Sequence, residues 1–173
     1  NSNIVGFANL LENCRHTNVR HLVYASTSSV YGANTNIPFS EKECTNHPLS
    51  VYAASKKSNE LMAHTYSHLY GISTIGLRFF TVYGPWGRPD MSLYEFTNRM
   101  VKKKNLFLFN NGNHIRDFTY IDDVVNGILC VINYHLKLKK QQIPFKIFNI
   151  SSSKPVKLKT YLSLIEKKLN IKA

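Results

Sequence analysis

The chain has 173 residues, of which 43% are hydrophobic, 12% aromatic and 18% charged, and its 22 Lys and Arg against 10 Asp and Glu give a formal net charge of +12. That balance excludes a disordered segment, and no apolar run nears the ~18 residues of a membrane span; the best candidate, residues 124–132, is broken by Asn126 and Gly127 and reads as a core helix. Cys14, Cys44 and Cys130 are odd in number, far apart and form no CxxC pair, which argues against a disulfide framework or zinc site and for a reducing, cytoplasmic compartment.

In chain order, Ile4, Phe7, Leu10, Leu11 and Cys14 recur at helical spacing and predict an amphipathic helix over residues 3–16. Residues 21–25 (HLVYA) read as a short buried strand. Two loops follow, one with Gly32, Asn34, Asn36 and Pro38, the other with Asn46, His47 and Pro48. A helix then starts at Ser50 as its N-cap and stops at Gly71, with Val51, Ala54, Leu61, Met62, Thr65 and Leu69 facing a core or a partner helix. Residues 73–79 (STIGLRF) predict a strand, 93–103 a helix, and 106–109 and 118–120 short strands. Asp122 and Asp123 cap an apolar helix over 124–135; residues 146–150 make a strand and 158–169 a last helix. Strands alternating with helices of this length predict an α/β fold with a parallel sheet.

Much of the positive charge lies late, at Lys137, Lys139, Lys140, Lys154, Lys157, Lys159, Lys167, Lys168 and Lys172. A basic balance can mark a polyanionic partner, but these lysines are not interleaved with aromatics and read as a solvated surface, without nucleic acid. His64 and His68 stand at i and i+4, yet no third metal ligand is evident and they read as helix surface.

Tyr52 and Lys56, in YAASK, share one helix face with side chains about 6 Å apart. Bringing a phenol from pKa about 10 to about 7 needs roughly 4 kcal/mol, at 1.36 per unit. One ammonium at ~6 Å in an effective dielectric of 20 supplies about 3 kcal/mol, and with a second cation nearby for the remainder the pair is a workable phenolate base. Residues 24–32 (YASTSSVYG) place Thr27, Ser28 and Ser29 directly after a strand, at the end where α/β sheets bind ligands.

Taken in order, STSSVYG (26–32), YAASK (52–56), LRFFTVYGP (77–85) and RDFTYIDD (116–123) resemble the extended short-chain dehydrogenase/reductase family, specifically its UDP-sugar epimerases, over essentially the whole chain. The resemblance implies a partial Rossmann-type, doubly wound parallel sheet plus part of a small C-terminal substrate-binding domain. Residues 1–88 would be the C-terminal half of the NAD-binding domain, and 89–173 mainly substrate-binding, with 117–150 returning partly to the Rossmann sheet. It implies a catalytic Thr27 at the reacting hydroxyl, Tyr52 as base and Lys56 as the lysine that lowers its pKa and binds the nicotinamide ribose. It further implies Asn3, Ser26, Phe79 and Phe80 near NAD. Ser28, Ser29, Thr81, Arg88 and Arg116 would lie on the substrate, Arg116 gripping the UDP diphosphate. Thr81 departs from the commoner Asn of that motif. The implied reaction is redox-neutral: Tyr52 removes the C4 hydroxyl proton while hydride passes to NAD, and the 4-keto sugar turns over and is reduced on its other face.

The related 4,6-dehydratases carry Asp and Glu where this chain has Ser28 and Ser29, which favours epimerisation. TVYGPWGRPDM (81–91) and HTYSHLYG (64–71) further resemble UDP-glucuronate 4-epimerases, and Arg88 is suited to a hexuronate carboxylate. His114 lies near Arg116 but is not taken as a site residue. The alternatives are a reductase or epimerase of a neutral or N-acetylated nucleotide sugar, and a catalytically dead remnant. A dinucleotide fold opens with strand, glycine-rich turn and helix, and none precedes Asn1. The chain is therefore expected to be a fragment lacking roughly 60–100 residues ahead of it, to hold NAD poorly by itself, and to dimerise when full length through residues 3–16 and 50–69.

Overall fold

The computed structural model describes residues 1–137 and 145–173; Lys139 and Lys140 lie outside the described residues. The elements run α1 (Phe7–His16), β1 (His21–Thr27), α2 (Val51–Tyr70), β2 (Ser73–Phe79), β3 (Thr81–Tyr83), α3 (Ser92–Val101), β4 (Ile115–Tyr120), α4 (Ile121–Leu136), β5 (Phe145–Ile150), β6 (Pro155–Lys157) and α5 (Leu158–Leu169). They form two compact units, one of Asn1–Phe80 with Val125–Ile150 and another of Thr81–Val124 with Ser151–Ala173.

The first unit is built on a parallel sheet in the order β1-β2-β5. Its middle strand explains the architecture, because six successive residues from Ser73 to Arg78 are buried, as a strand covered on both faces must be. Ile75, Leu77 and Val131 form the core, with Val23, Phe79, Ile128, Phe148 and Ile150 packed around them. A wide turn over Ser2–Gly6 leads into α1, so only the later part of the predicted first helix is α-helical.

Helix α2 starts and stops where its sequence punctuation predicts. The Ser50 hydroxyl accepts from the Ala53 N–H at 3.1 Å, and Gly71, left-handed at φ 68°, closes the last turn on the Ser67 carbonyl. Its buried stripe differs from the one expected. Ala53, Asn59, Glu60, Ala63 and Ser67 are buried, whereas Val51, Leu61 and Leu69 are exposed. Small residues let the helix lie close on the sheet, close enough for the Thr74 hydroxyl to donate to the Ala63 carbonyl. The bulky ones turn outward.

In the second unit, β4 pairs in parallel with β3 and antiparallel with β6. Phe96 and Met100 of α3 pack with Ile165 of α5. Residues 106–109 are not a strand: Leu106 and Leu108 fill this core, and a tight turn follows over Phe109–Gly112, with Asn110 and Asn111 at positive φ. Three-residue β6 escaped prediction because it is too short for a period and opens on Pro155. Asp122 and Asp123 lie inside the first turn of α4, where they complement the helix dipole, and do not cap it. No helix among the described residues is long and apolar enough to cross a membrane.

Candidate active site

At the C-terminal end of β1 the backbone turns at once into a short 3-10 turn over Ser28–Tyr31. Thr27 makes that turn possible, since its hydroxyl accepts from the Ser29 N–H and donates to the Ser29 hydroxyl, both at 3.2 Å. Thr27 itself is buried, Ser28 half-buried and Ser29 exposed, so the three hydroxyls form a graded edge from core to solvent. Gly32 ends the turn.

Tyr52 is the second residue of α2, and its side chain is about half exposed. Lys56, one turn on, is half-buried, and burial lowers its pKa below the ordinary lysine value. Among the described residues its ammonium has no hydrogen-bond or ion-pair partner. Between the two, Ser55 donates to the Tyr52 carbonyl at 2.8 Å, and Asn3 donates to the Ser55 hydroxyl at 3.1 Å. The Asn59 amide in turn donates to the Asn3 carbonyl. Asn3 is thus fastened to the same stretch of α2 that carries Tyr52 and Lys56.

Ser26, read from the sequence as near the cofactor, is buried and donates its hydroxyl to Glu60 of α2 at 2.7 Å. Phe79 ends β2 in register with Thr27, and the Phe80 N–H donates to the Ile150 carbonyl at 3.2 Å. Glu60 and Arg78 went unread in the sequence. Two signals were available. Glu60 follows Tyr52 and Lys56 at i+8 and i+4, and a charged residue inside an otherwise buried strand requires a partner.

Thr81, Arg88 and Arg116 belong to the second unit. Thr81 opens β3, in register with Phe118. Arg88 is exposed and forms a two-pronged contact with Asp90, its Nε at 3.0 Å from Oδ1, and this arginine holds the Asp90 carboxyl below its ordinary pKa. It lines a cleft of about 720 Å³ with Tyr83, Trp86, Leu93, Tyr94 and Asn98. Arg116 stands exposed on β4, opposite Val156 of β6. His64 packs edge-on against Phe145 at 5.0 Å, and among the described residues no group of three His, Cys, Asp or Glu side chains is placed to hold a metal.

Protein CapI of Staphylococcus aureus is 52% identical over 99% of this chain and 55% of its own length. UDP-glucuronate 4-epimerase 4 of Arabidopsis thaliana is 48% identical over 99% of this chain and 42% of its own. A solved structure, UDP-glucuronic acid 4-epimerase from Bacillus cereus in complex with UDP-glucuronic acid and NAD, is similar with a TM-score of 0.89 at 36% identity, covering 99% of this chain and 52% of that one. The chain spans about half the length of the curated relatives it matches. Residues 1–151 match the family described as NAD dependent epimerase/dehydratase, and the chain belongs to it.

Proposed function

We propose that the protein containing this chain epimerises UDP-glucuronate and UDP-galacturonate at C4 with the help of NAD. One observation carries the reading: a half-exposed phenol, Tyr52, stands one helical turn from a half-buried ammonium, Lys56, that has no partner among the described residues. The names of the relatives, UDP-glucuronate 4-epimerases among them, support the choice of sugar.

A half-buried ammonium without a protein partner among the described residues is free to take a polar ligand. The hydroxyls of a nicotinamide ribose are such a ligand, so Lys56 and Tyr52 suit this end of NAD, with Asn3 of the Ser2–Gly6 turn fastened to α2 behind them and Phe79 and Phe80 at the end of β2. When bound, NAD supplies the hydride acceptor and donor. Tyr52 takes the proton of the C4 hydroxyl and later returns it to the epimer. Lys56 stabilises the phenolate, and the Thr27 hydroxyl holds the reacting oxygen. Ser28 and Ser29 supply no carboxyl pair for eliminating water, and their hydroxyls bind the sugar instead. Ser26 serves from below, through Glu60. In the second unit, Arg116 answers the diphosphate, Thr81 the sugar, and Arg88 the uronate carboxylate in exchange for Asp90. Protomers pair through the outward faces of α1 and α2, where Leu10, Leu61 and Leu69 are exposed.

The test is product analysis by NMR with the whole purified protein. UDP-galacturonate should form from UDP-glucuronate with no net change in NAD. Turnover restricted to neutral or N-acetylated nucleotide sugars would overturn the hexuronate assignment, and no exchange at C4 with any of them would overturn the activity.

A further inference from the structure

One step below Thr27, the sheet of the first unit carries a polar row: Ser26 is in register with Arg78, and Arg78 with Asn149. The next row down, Ala25, Leu77 and Phe148, is apolar. Arg78 is only 2% exposed and forks onto Glu60 of α2, Nε to Oε1 and Nη2 to Oε2, both at 2.9 Å. Ser26 donates to Oε1 of the same carboxylate at 2.7 Å, and Lys57 lies 3.4 Å from Oε2. Burial pushes the Glu60 carboxyl up, but the hydrogen bonds from Arg78 and Ser26 outweigh it and keep the group charged.

The network continues across the sheet. The Arg78 guanidinium lies over the Tyr31 ring at 4.7 Å, and the Tyr31 hydroxyl donates to Asn149 Oδ1 at 2.7 Å. Asn149 donates its side-chain amide to the Phe39 carbonyl at 3.0 Å and its backbone N–H to Glu41 at 2.8 Å. Tyr31 also stacks on Phe39 at 4.5 Å. One connected cluster therefore touches β1, β2, β5, α2 and the turn that follows Thr27.

A buried ion pair is weak evidence for stability, because desolvating both charges offsets their attraction. What a forked pair does supply is direction, since two parallel hydrogen bonds tolerate little rotation. Glu60 shares the helix stripe of Lys56 and Tyr52, one and two turns further along. We propose that the Arg78–Glu60 pair, braced by Ser26, Tyr31 and Asn149, is the positioning device that fixes the rotation and height of α2 against the end of β1. It thereby sets the reach of Tyr52 toward the group that Thr27 holds. These are positioning residues, and only the kinetic arm of the test rests on the proposed epimerase function.

Two variants of the whole protein test it. Arg78→Lys keeps the charge but loses the fork and the planar stacking. Tyr31→Phe removes only the hydroxyl on Asn149 and keeps the ring. With Arg78→Lys, kcat per bound NAD should fall about 10- to 100-fold while KM changes less than about twofold, as expected of misplacement on the ångström scale. A role in folding alone would lower the amount of NAD bound and leave kcat per bound NAD at the wild-type value. Hydrogen–deuterium exchange should quicken in residues 28–34 and 50–56 and stay unchanged in 73–77. Tyr31→Phe, which loosens the brace on Arg78, should quicken exchange in 28–41 and, less than Arg78→Lys, in 50–56, and the α2 segment decides the matter if Arg78→Lys does not fold. Unchanged exchange in these segments, or an unchanged kcat per bound NAD, would overturn the proposal. A wild-type protein that turns over no nucleotide sugar would retire the epimerase reading and leave exchange alone to decide this one.

Discussion

Tyr52 and Lys56 share a helix face but not a solvent environment. The phenol is 51% exposed, whereas the ammonium is half-buried and its pKa is lowered by that burial. Less water around the ammonium means less screening of its field at the phenol one turn away. Tyr52→Phe keeps the ring and removes only the proton acceptor, so kcat should fall about 10²- to 10⁴-fold with little change in KM. Steady-state kinetics of the whole protein check this, and a near-wild-type rate would remove Tyr52 from the mechanism. Glu12 gives a prediction in pH. Its carboxylate accepts from Arg15 at 3.0 Å and from the Tyr66 hydroxyl of α2 at 2.9 Å, and these bonds, that from Arg15 first, hold its pKa at about 2 against an ordinary 4.5. The folded value is the lower one, so the link between α1 and α2 contributes fully above pH about 4.5 and is lost as pH falls towards about 2. The difference in Tm between wild type and Glu12→Gln should be constant above about pH 5 and shrink towards zero as pH falls through about 2. A difference independent of pH would show that the carboxylate contributes nothing through its charge.

Two elements bring the site residues to hand, and each depends on one terminal residue. Ser50 caps α2 with Tyr52 only two positions inside, so Ser50→Ala should cost about 1 kcal/mol and loosen the turn that carries the phenol. Activity should drop by more than the loss of folded protein explains, and Ser50→Asp should restore both; thermal melts and kcat on the three proteins decide. Gly32 closes the Ser28–Tyr31 turn at φ 57° and ψ −117°, with the His47 carbonyl oxygen 2.0 Å from where a Cβ would stand. Gly32→Ala should destabilise by about 1–3 kcal/mol from backbone strain, and more because the carbonyl must move. Elements with punctuation of their own were legible in the sequence: Ser50 and Gly71 bound α2, the predicted last helix matches α5, and STIGLRF is β2. Elements defined by a partner were not. Three-residue β6 exists only as the neighbour of β4, and Leu106 and Leu108 are held by the α3–α5 core. The same distinction applies to the site. Thr27, Ser28, Ser29, Tyr52 and Lys56 are local patterns, whereas Glu60 and Arg78 meet only once α2 lies on the sheet.

At the scale of the molecule, charge and exposed apolar surface make separate demands. The lysines at 102–104, 154, 157, 159, 167, 168 and 172 are exposed, without the interleaved aromatic platform that single-strand binders use. Binding to nucleic acid should therefore be weak, indifferent to sequence, and gone by ~200 mM salt in a filter assay. The apolar surface is the sharper problem. Helix α4 lays Ile128 and Val131 on the sheet core, yet Val125, Leu129, Ile132 and Leu136 on its other faces are exposed, Leu129 by 52%. A helix apolar all round is the pattern of one covered from more than one side. Strand β1 likewise has β2 on one edge and no strand on the other among the described residues. The 173-residue chain, expressed by itself, should then bind an apolar dye and run as aggregates in light scattering at micromolar concentration, while the whole protein stays monodisperse. Leu129→Lys combined with Ile132→Lys separates the causes. If the α4 stripe drives association, the double variant makes the isolated chain soluble and damages the whole protein, because the same charges are then buried where they have no partner. If the double variant leaves both unchanged, the stripe is tolerated in water and the open edge of β1 becomes the source of association.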